Sequence, residues 1–241
     1  MCVIIVAAPH ASISRDILDK CNAMNSQGIG IAYLANGRVS WDKGINLTDA
    51  ENILRGAKDY WRAIHFRLAT VGKECKQLCH PFPITGSLDL QGTGTCLMHN
   101  GHFNHDGFMV AGRLHLDGPV SDSRVASALC NRLRYKQQCR LLQAIGGHWL
   151  LATPRQFTMI GKYEKIATQS ENGLYFSNLT WQHYANYVFC DDVQYSPDAR
   201  NSHLSKASYP IPSNSDDASE WKDYWERKYR KENSEVMGCF E

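Results

Sequence analysis

The second residue of the sequence, directly after Met1, is a cysteine. Removal of Met1 gives Cys2 both a thiol nucleophile and a free α-amine. An α-amine ordinarily titrates near about 7.7–8.0, so it can take the thiol proton and later return it to a leaving amine. Read alone, Cys2 is equally a small apolar residue opening a buried strand. Three other segments add groups that such a nucleophile would use. His65-Phe66-Arg67-Leu68-Ala69-Thr70-Val71-Gly72 sets a guanidinium near a strand end, where it can grip a carboxylate with two parallel hydrogen bonds. Met98-His99-Asn100-Gly101 puts a side-chain amide beside a glycine N–H, the two donors an oxyanion hole needs. Ser121-Asp122-Ser123 sets a carboxylate at a helix N-terminus, where it can receive an ammonium.

The elements that must position these residues follow from pattern. Residues 2–8 form a continuous, β-branched run, the mark of a strand buried on both faces. Ile13, Ile17, Cys21 and Met24 recur at helical spacing with Gly28 as a stop, and residues 29–34 and 39–41 flank an Asn36-Gly37 turn as a hairpin. Thr48-Asp49-Ala50-Glu51 reads as a capping box opening a helix that runs to about Lys58. Residues 61–70 read as a strand, 71–94 as a long loop without period, and 95–99 as a strand ending at Asn100-Gly101. Ser121 reads as the cap of a helix carrying Val125, Ala128, Leu129 and Leu133. Residues 149–153, 156–160, 174–177 and 187–190 add strands. Residues 195–215 are dense in Ser, Asn, Asp and Pro and read as a linker, followed by a helix with Trp221, Tyr224, Trp225 and Tyr229 on one face. The expected division is therefore a domain over residues 1–194, then a linker and C-terminal amphipathic helix over 195–241.

Composition narrows the function classes. In 241 residues, 43% are hydrophobic and 21% charged, a balance that builds a packed core and excludes collagen, coiled coil and wholesale disorder. Twenty-six Lys and Arg against 24 Asp and Glu leave a net charge of +2, too small and too evenly spread for a nucleic-acid stripe or an anionic-membrane patch. The longest apolar run, residues 3–9, is far short of the roughly 20 residues that span a bilayer, and no basic segment precedes it. Nine cysteines, an odd number, read as free thiols in a reducing compartment. The expectation is a cytoplasmic protein with neither nucleic acid nor membrane as partner.

Taken in order, Cys2, residues 65–72, Asn100-Gly101 and Ser121-Asp122-Ser123 resemble the motifs of the class II, N-terminal-nucleophile glutamine amidotransferases. Gly147-His148-Trp149 and Tyr175-Phe176-Ser177 resemble two further segments of that family, so the resemblance covers about residues 2–190. It implies an α+β fold, a four-layer αββα sandwich of two mainly antiparallel sheets. It implies a glutaminase half-reaction in which Cys2 attacks the side-chain amide of glutamine, ammonia leaves, and water cleaves a γ-glutamyl thioester. Asn100 and Gly101 would hold the oxyanion, Arg67 the α-carboxylate of glutamine and Asp122 its α-ammonium. No cofactor and no metal are implied. Val3 departs from the glycine that commonly follows the nucleophile and is expected to crowd its strand. Leu68 stands where synthase members often carry Trp, and Val71 where many carry His.

Three functions fit these residues. The first is a glutaminase supplying ammonia to a separate synthetase or transferase subunit, alone or as a homo-oligomer. The second is an amidohydrolase of other γ-glutamyl amides on the same fold. The third is a non-catalytic interaction protein working through residues 195–241. His99, His102 and His105, or Cys75, Cys79 and His80, lack paired zinc-ligand spacing, and His10 and His65 read as structural.

Overall fold

The computed structural model describes residues 2–69, 72–166 and 173–183. The expected strand at 187–190, the linker and the C-terminal helix lie outside the described residues, as do Thr70 and Val71.

Alternation along the strands explains how the layers form. Strand β1 (Val3–Ala7) is wholly buried. Val3, Ile5 and Ala7 point one way and Ile4 and Val6 the other, as the period of two requires. The first set packs with Ile17, Leu18 and Cys21 of helix α1 (Arg15–Met24) and with Ala50 and Leu54 of helix α2 (Leu47–Gly56). The second meets Cys96 and Met98 of β7 (Cys96–Asn100) and Leu150 and Ala152 of β8 (His148–Ala152). The opposite faces of β7 and β8, through Leu97, Trp149 and Leu151, pack with Ala126 and Cys130 of helix α4 (Asp122–Cys130) and Leu142 of helix α5 (Tyr135–Ile145). Helices, sheet, sheet, helices is the four-layer αββα sandwich.

The first sheet has strand order β10-β1-β4-β2-β3-β6, with β2 spanning Ile29–Ala35, β3 Arg38–Ile45, β4 Trp61–Phe66, β6 Gln91–Thr93 and β10 Leu174–Phe176. The second has order β5-β7-β8-β9, with β5 Phe82–Pro83 and β9 Phe157–Ile160. Every pairing in both is antiparallel.

Several sequence-based boundaries are corrected. Asn46, not Thr48, caps α2: its side chain accepts the Asp49 N–H at 2.8 Å, so the helix starts one residue before the Thr48 box. The strand expected to reach Thr70 ends at Phe66. The stretch 71–94, expected to be without period, contributes β5 to the edge of one sheet and β6 to the edge of the other, strands too short to leave a period. Helix α3 (His105–Gly112) and α5 were not expected. Two glycines and no polar face hide α3, and α5 opens at Arg134 without one of the usual small polar caps.

Candidate functional site

Register brings the first two groups together. Val3 pairs with Phe66, so continuing the antiparallel ladder by one residue sets Cys2 opposite Arg67. The Cys2 thiol is clamped by the peptide of Leu68: the Leu68 N–H donates to Sγ at 3.3 Å and the thiol donates to the Leu68 carbonyl at 3.3 Å. Asn178 fixes the backbone on the other side, its Nδ2 donating to the Cys2 carbonyl at 2.8 Å. Burial pushes the thiol above its usual range, and Asp122 adds to the rise. The Leu68 hydrogen bond and the Arg67 charge act against it. A thiol held protonated in this way needs a base before it can attack.

Arg67 is buried, with one terminal nitrogen, Nη2, donating to the Lys73 carbonyl at 3.1 Å. Its other terminal nitrogen, Nη1, is buried and meets no acceptor among the described residues. An unmatched N–H of a buried cation is costly, and its side chain lines the same cleft as Cys2. A ligand carboxylate would complete it.

Asp122 lines that cleft from the far side. Ser121 caps α4 by accepting the Arg124 N–H at 3.3 Å, which makes Asp122 the first helical residue, where the helix dipole favours an anion. Its Oδ1 accepts the Ser123 N–H (2.7 Å) and hydroxyl (3.2 Å), and its Oδ2 accepts the Phe103 N–H (3.4 Å). Burial nevertheless raises its pKa; the Ser123 and Phe103 hydrogen bonds and nearby His102 oppose the rise. A cation arriving in the cleft would offset the same penalty.

The Asn100-Gly101 pair has separable tasks. Gly101 lines the cleft, and its missing side chain is required by His99: a Cβ there would lie 2.6 Å from His99 Nε2. His99 stacks on Trp149 with ring centroids 3.7 Å apart, and its Nδ1 lies 3.1 Å from the Ser123 hydroxyl. Because that hydroxyl donates to Asp122, His99 Nδ1–H donates to Ser123, and a chain from His99 through Ser123 holds the Asp122 carboxylate. Asn100 points between the sheets. Its Nδ2 donates to the Ser177 hydroxyl at 2.9 Å, which also accepts the Ile4 N–H at 2.9 Å. Ser177 thus ties the nucleophile's strand to the strand that carries Asn100.

The cleft therefore gathers Cys2, Arg67, Gly101 and Asp122, while Asn100, buried and tied to Ser177, does not line it. Leu68 also lines it, while Val3 packs into the helix-facing core. Sequence reasoning named Ser123 and Ser177 only as members of motif segments, without a role, and did not place Leu68's peptide, His80 or Asn178 in the site. Ser177 and Asn178 lie 77 and 176 residues from their partners Asn100 and Cys2, so no local pattern could reveal these contacts. Seven described cysteines are free thiols; Cys190 and Cys239 lie outside the described residues. Among the described residues no group of three or more metal-ligating side chains is placed to hold a metal ion, and no helix is long and apolar enough to cross a membrane.

No family model and no curated protein matches the chain. Solved structures do match it, two of them as follows. One is glutamine phosphoribosylpyrophosphate amidotransferase from B. subtilis complexed with ADP and GMP: 18% identity, 73% of this chain and 41% of that one covered, TM-score 0.48. The other, described as the allosteric regulatory enzyme of purine biosynthesis, is 16% identical over 73% of this chain and 41% of that one, TM-score 0.49. The chain spans about two fifths of the length of each.

Proposed function

We propose that this chain is a glutaminase of the N-terminal-nucleophile type, converting glutamine and water to glutamate and ammonia. The observation that carries the reading is one cleft lined by a thiol, a buried guanidinium with an unmatched N–H, and a buried carboxylate. An α-amino acid presents a carboxylate and an ammonium, which Arg67 and Asp122 complement, and its side-chain amide is then held towards the thiol.

In this reading Met1 is removed and the α-amine of Cys2 takes the thiol proton. Sγ adds to the amide carbon, and the carbonyl oxygen becomes an oxyanion held by the Gly101 N–H and an Asn100 N–H. The carbon–nitrogen bond breaks as the amine returns the proton to nitrogen, giving ammonia and a γ-glutamyl thioester. Water, deprotonated by the same amine, cleaves the thioester to glutamate and restores the thiol. Delivery of the ammonia to a separate synthetase or transferase, a homo-oligomeric state and a cytoplasmic location belong to the same proposal. The free thiols of the described residues support the last.

Glutamate release from glutamine tests the reading, with two variants separating the roles. Arg67→Lys keeps the charge and loses the fork, so KM for glutamine rises by about 10–100-fold with a smaller change in kcat. Asn100→Ala lowers kcat by about 10²–10³-fold, the usual cost of an oxyanion donor. An effect of Asn100→Ala confined to KM would show that the amide serves binding or the Ser177 link instead.

A further inference from the structure

His80 lines the cleft with Cys2 and Arg67, is almost wholly buried, and takes no part in the steps above. Both of its ring nitrogens are closed off from solvent and meet no hydrogen-bond partner among the described residues. Its plane is nevertheless fixed, with the His65 ring 4.1 Å away by centroid and Phe82 edge-on at 5.2 Å. Its backbone is fixed as well: the His80 carbonyl sits against Gly30 so closely that a Cβ there would overlap it at 1.6 Å. A held but unmatched imidazole carries one donor and one acceptor, two polar groups that burial makes costly unless a ligand answers them.

Matching the substrate's polar groups to the cleft leaves one pair. Arg67 answers the carboxylate, Asp122 the ammonium, and Gly101 with Asn100 the carbonyl oxygen. The amide –NH2 has two N–H donors and, once the carbon is tetrahedral, a lone pair; the Cys2 amine serves the lone pair, and none of the groups assigned so far meets the N–H donors.

We propose that His80 is the leaving-group residue of this cleft, its bare ring nitrogen accepting an N–H of the substrate's amide nitrogen and holding it as it becomes ammonia. The assignment rests on the glutaminase reading and adds the nitrogen subsite to it. Accepting that N–H turns the nitrogen lone pair towards the group that donates the departing proton. His80 cannot supply the proton itself. Burial holds it neutral, reinforced by the Arg67 and Lys43 cations on and beyond the neighbouring strands, and a proton on His65 or His99 would oppose one on His80 further. Ammonia held there stays uncharged.

The test compares glutamine with the γ-methyl ester of glutamate, whose leaving oxygen carries no N–H. The value of kcat/KM reports the acylation step for both, so their ratio isolates the leaving group. His80→Phe keeps a ring against His65 and Phe82 and removes both nitrogens; the amide-to-ester ratio is expected to fall by about 10–100-fold. His80→Gln, which retains a donor and an acceptor, is expected to recover most of it, and His80→Leu, which also removes both nitrogens, takes the place of His80→Phe if the Phe variant fails to fold. Equal losses on both substrates or an unchanged ratio in the variant lacking both nitrogens, or a ratio in His80→Gln as low as in that variant, would overturn the role of His80 while leaving the glutaminase reading intact. A wild-type protein that cleaves neither substrate would overturn that reading, and this proposal with it.

Discussion

Cys2→Ala abolishes release of glutamate from glutamine, with a fall in kcat on the order of 10⁵–10⁶-fold, the loss expected when a covalent nucleophile is deleted. Replacement is structurally mild. The Leu68 N–H and carbonyl each lose one contact at 3.3 Å, and β1, wholly buried from Val3 onward, keeps its pairing to β4 and β10. Thermal stability of the variant should therefore stay within about 1 kcal/mol of the parent while activity disappears. Among the described residues Cys2 is the cysteine that lines the cleft, so none of the other six described thiols is placed to substitute. Residual activity within tenfold of the parent would remove Cys2 from the chemistry.

Acidification is the second large effect. His65 is pushed down to about 3, and His80 and His99 well below their usual value, in each case chiefly by burial. In the unfolded chain the same side chains titrate near about 6.5. Below that pH the unfolded state takes up protons that the folded state refuses, so stability falls as pH falls. A histidine whose proton the fold refuses costs about 1.4 kcal/mol per pH unit, so His65 alone brings a loss of about 3 kcal/mol by pH 4.5, and His80 and His99 add to it with the same sign. Lys43, held at about 8 by burial, has the same sign in a different window: its depressed value adds stability as pH rises from about 8 towards 10.5. The raised Asp122 works the other way, only across the carboxylate range. Urea midpoints measured from pH 7.5 to 4.5 should fall below pH 6.5, and His80→Phe should flatten the slope. A flat profile would mean that the three imidazoles accept protons inside the fold.

Much of this was written locally. The apolar run into β1, the Asn36-Gly37 turn and the Ser121 cap each depend on neighbours within a few residues, and all three formed as read. The Thr48 box failed because Asn46, two residues upstream, offers a competing cap with the same chemistry. Strands β5 and β6 were illegible because two or three residues hold no period. They are strands only because β7 and β3 are already there to pair with. At the site, Cys2, Arg67, Gly101 and Asp122 were legible as motif residues, and the fold brings them to one cleft. His80 was not: its environment is built by His65, Phe82 and Gly30, contacts that exist only after the two sheets have closed.

The most direct test of the central claim is intact-mass and peptide analysis after treatment with a glutamine-mimicking diazo ketone, which loses dinitrogen as it alkylates the nucleophile. The proposed chemistry predicts a protein lacking Met1, one adduct per chain, located on Cys2 among nine cysteines, and protection by excess glutamine. Full glutaminase activity with Met1 retained, or an adduct on any other residue, would contradict it.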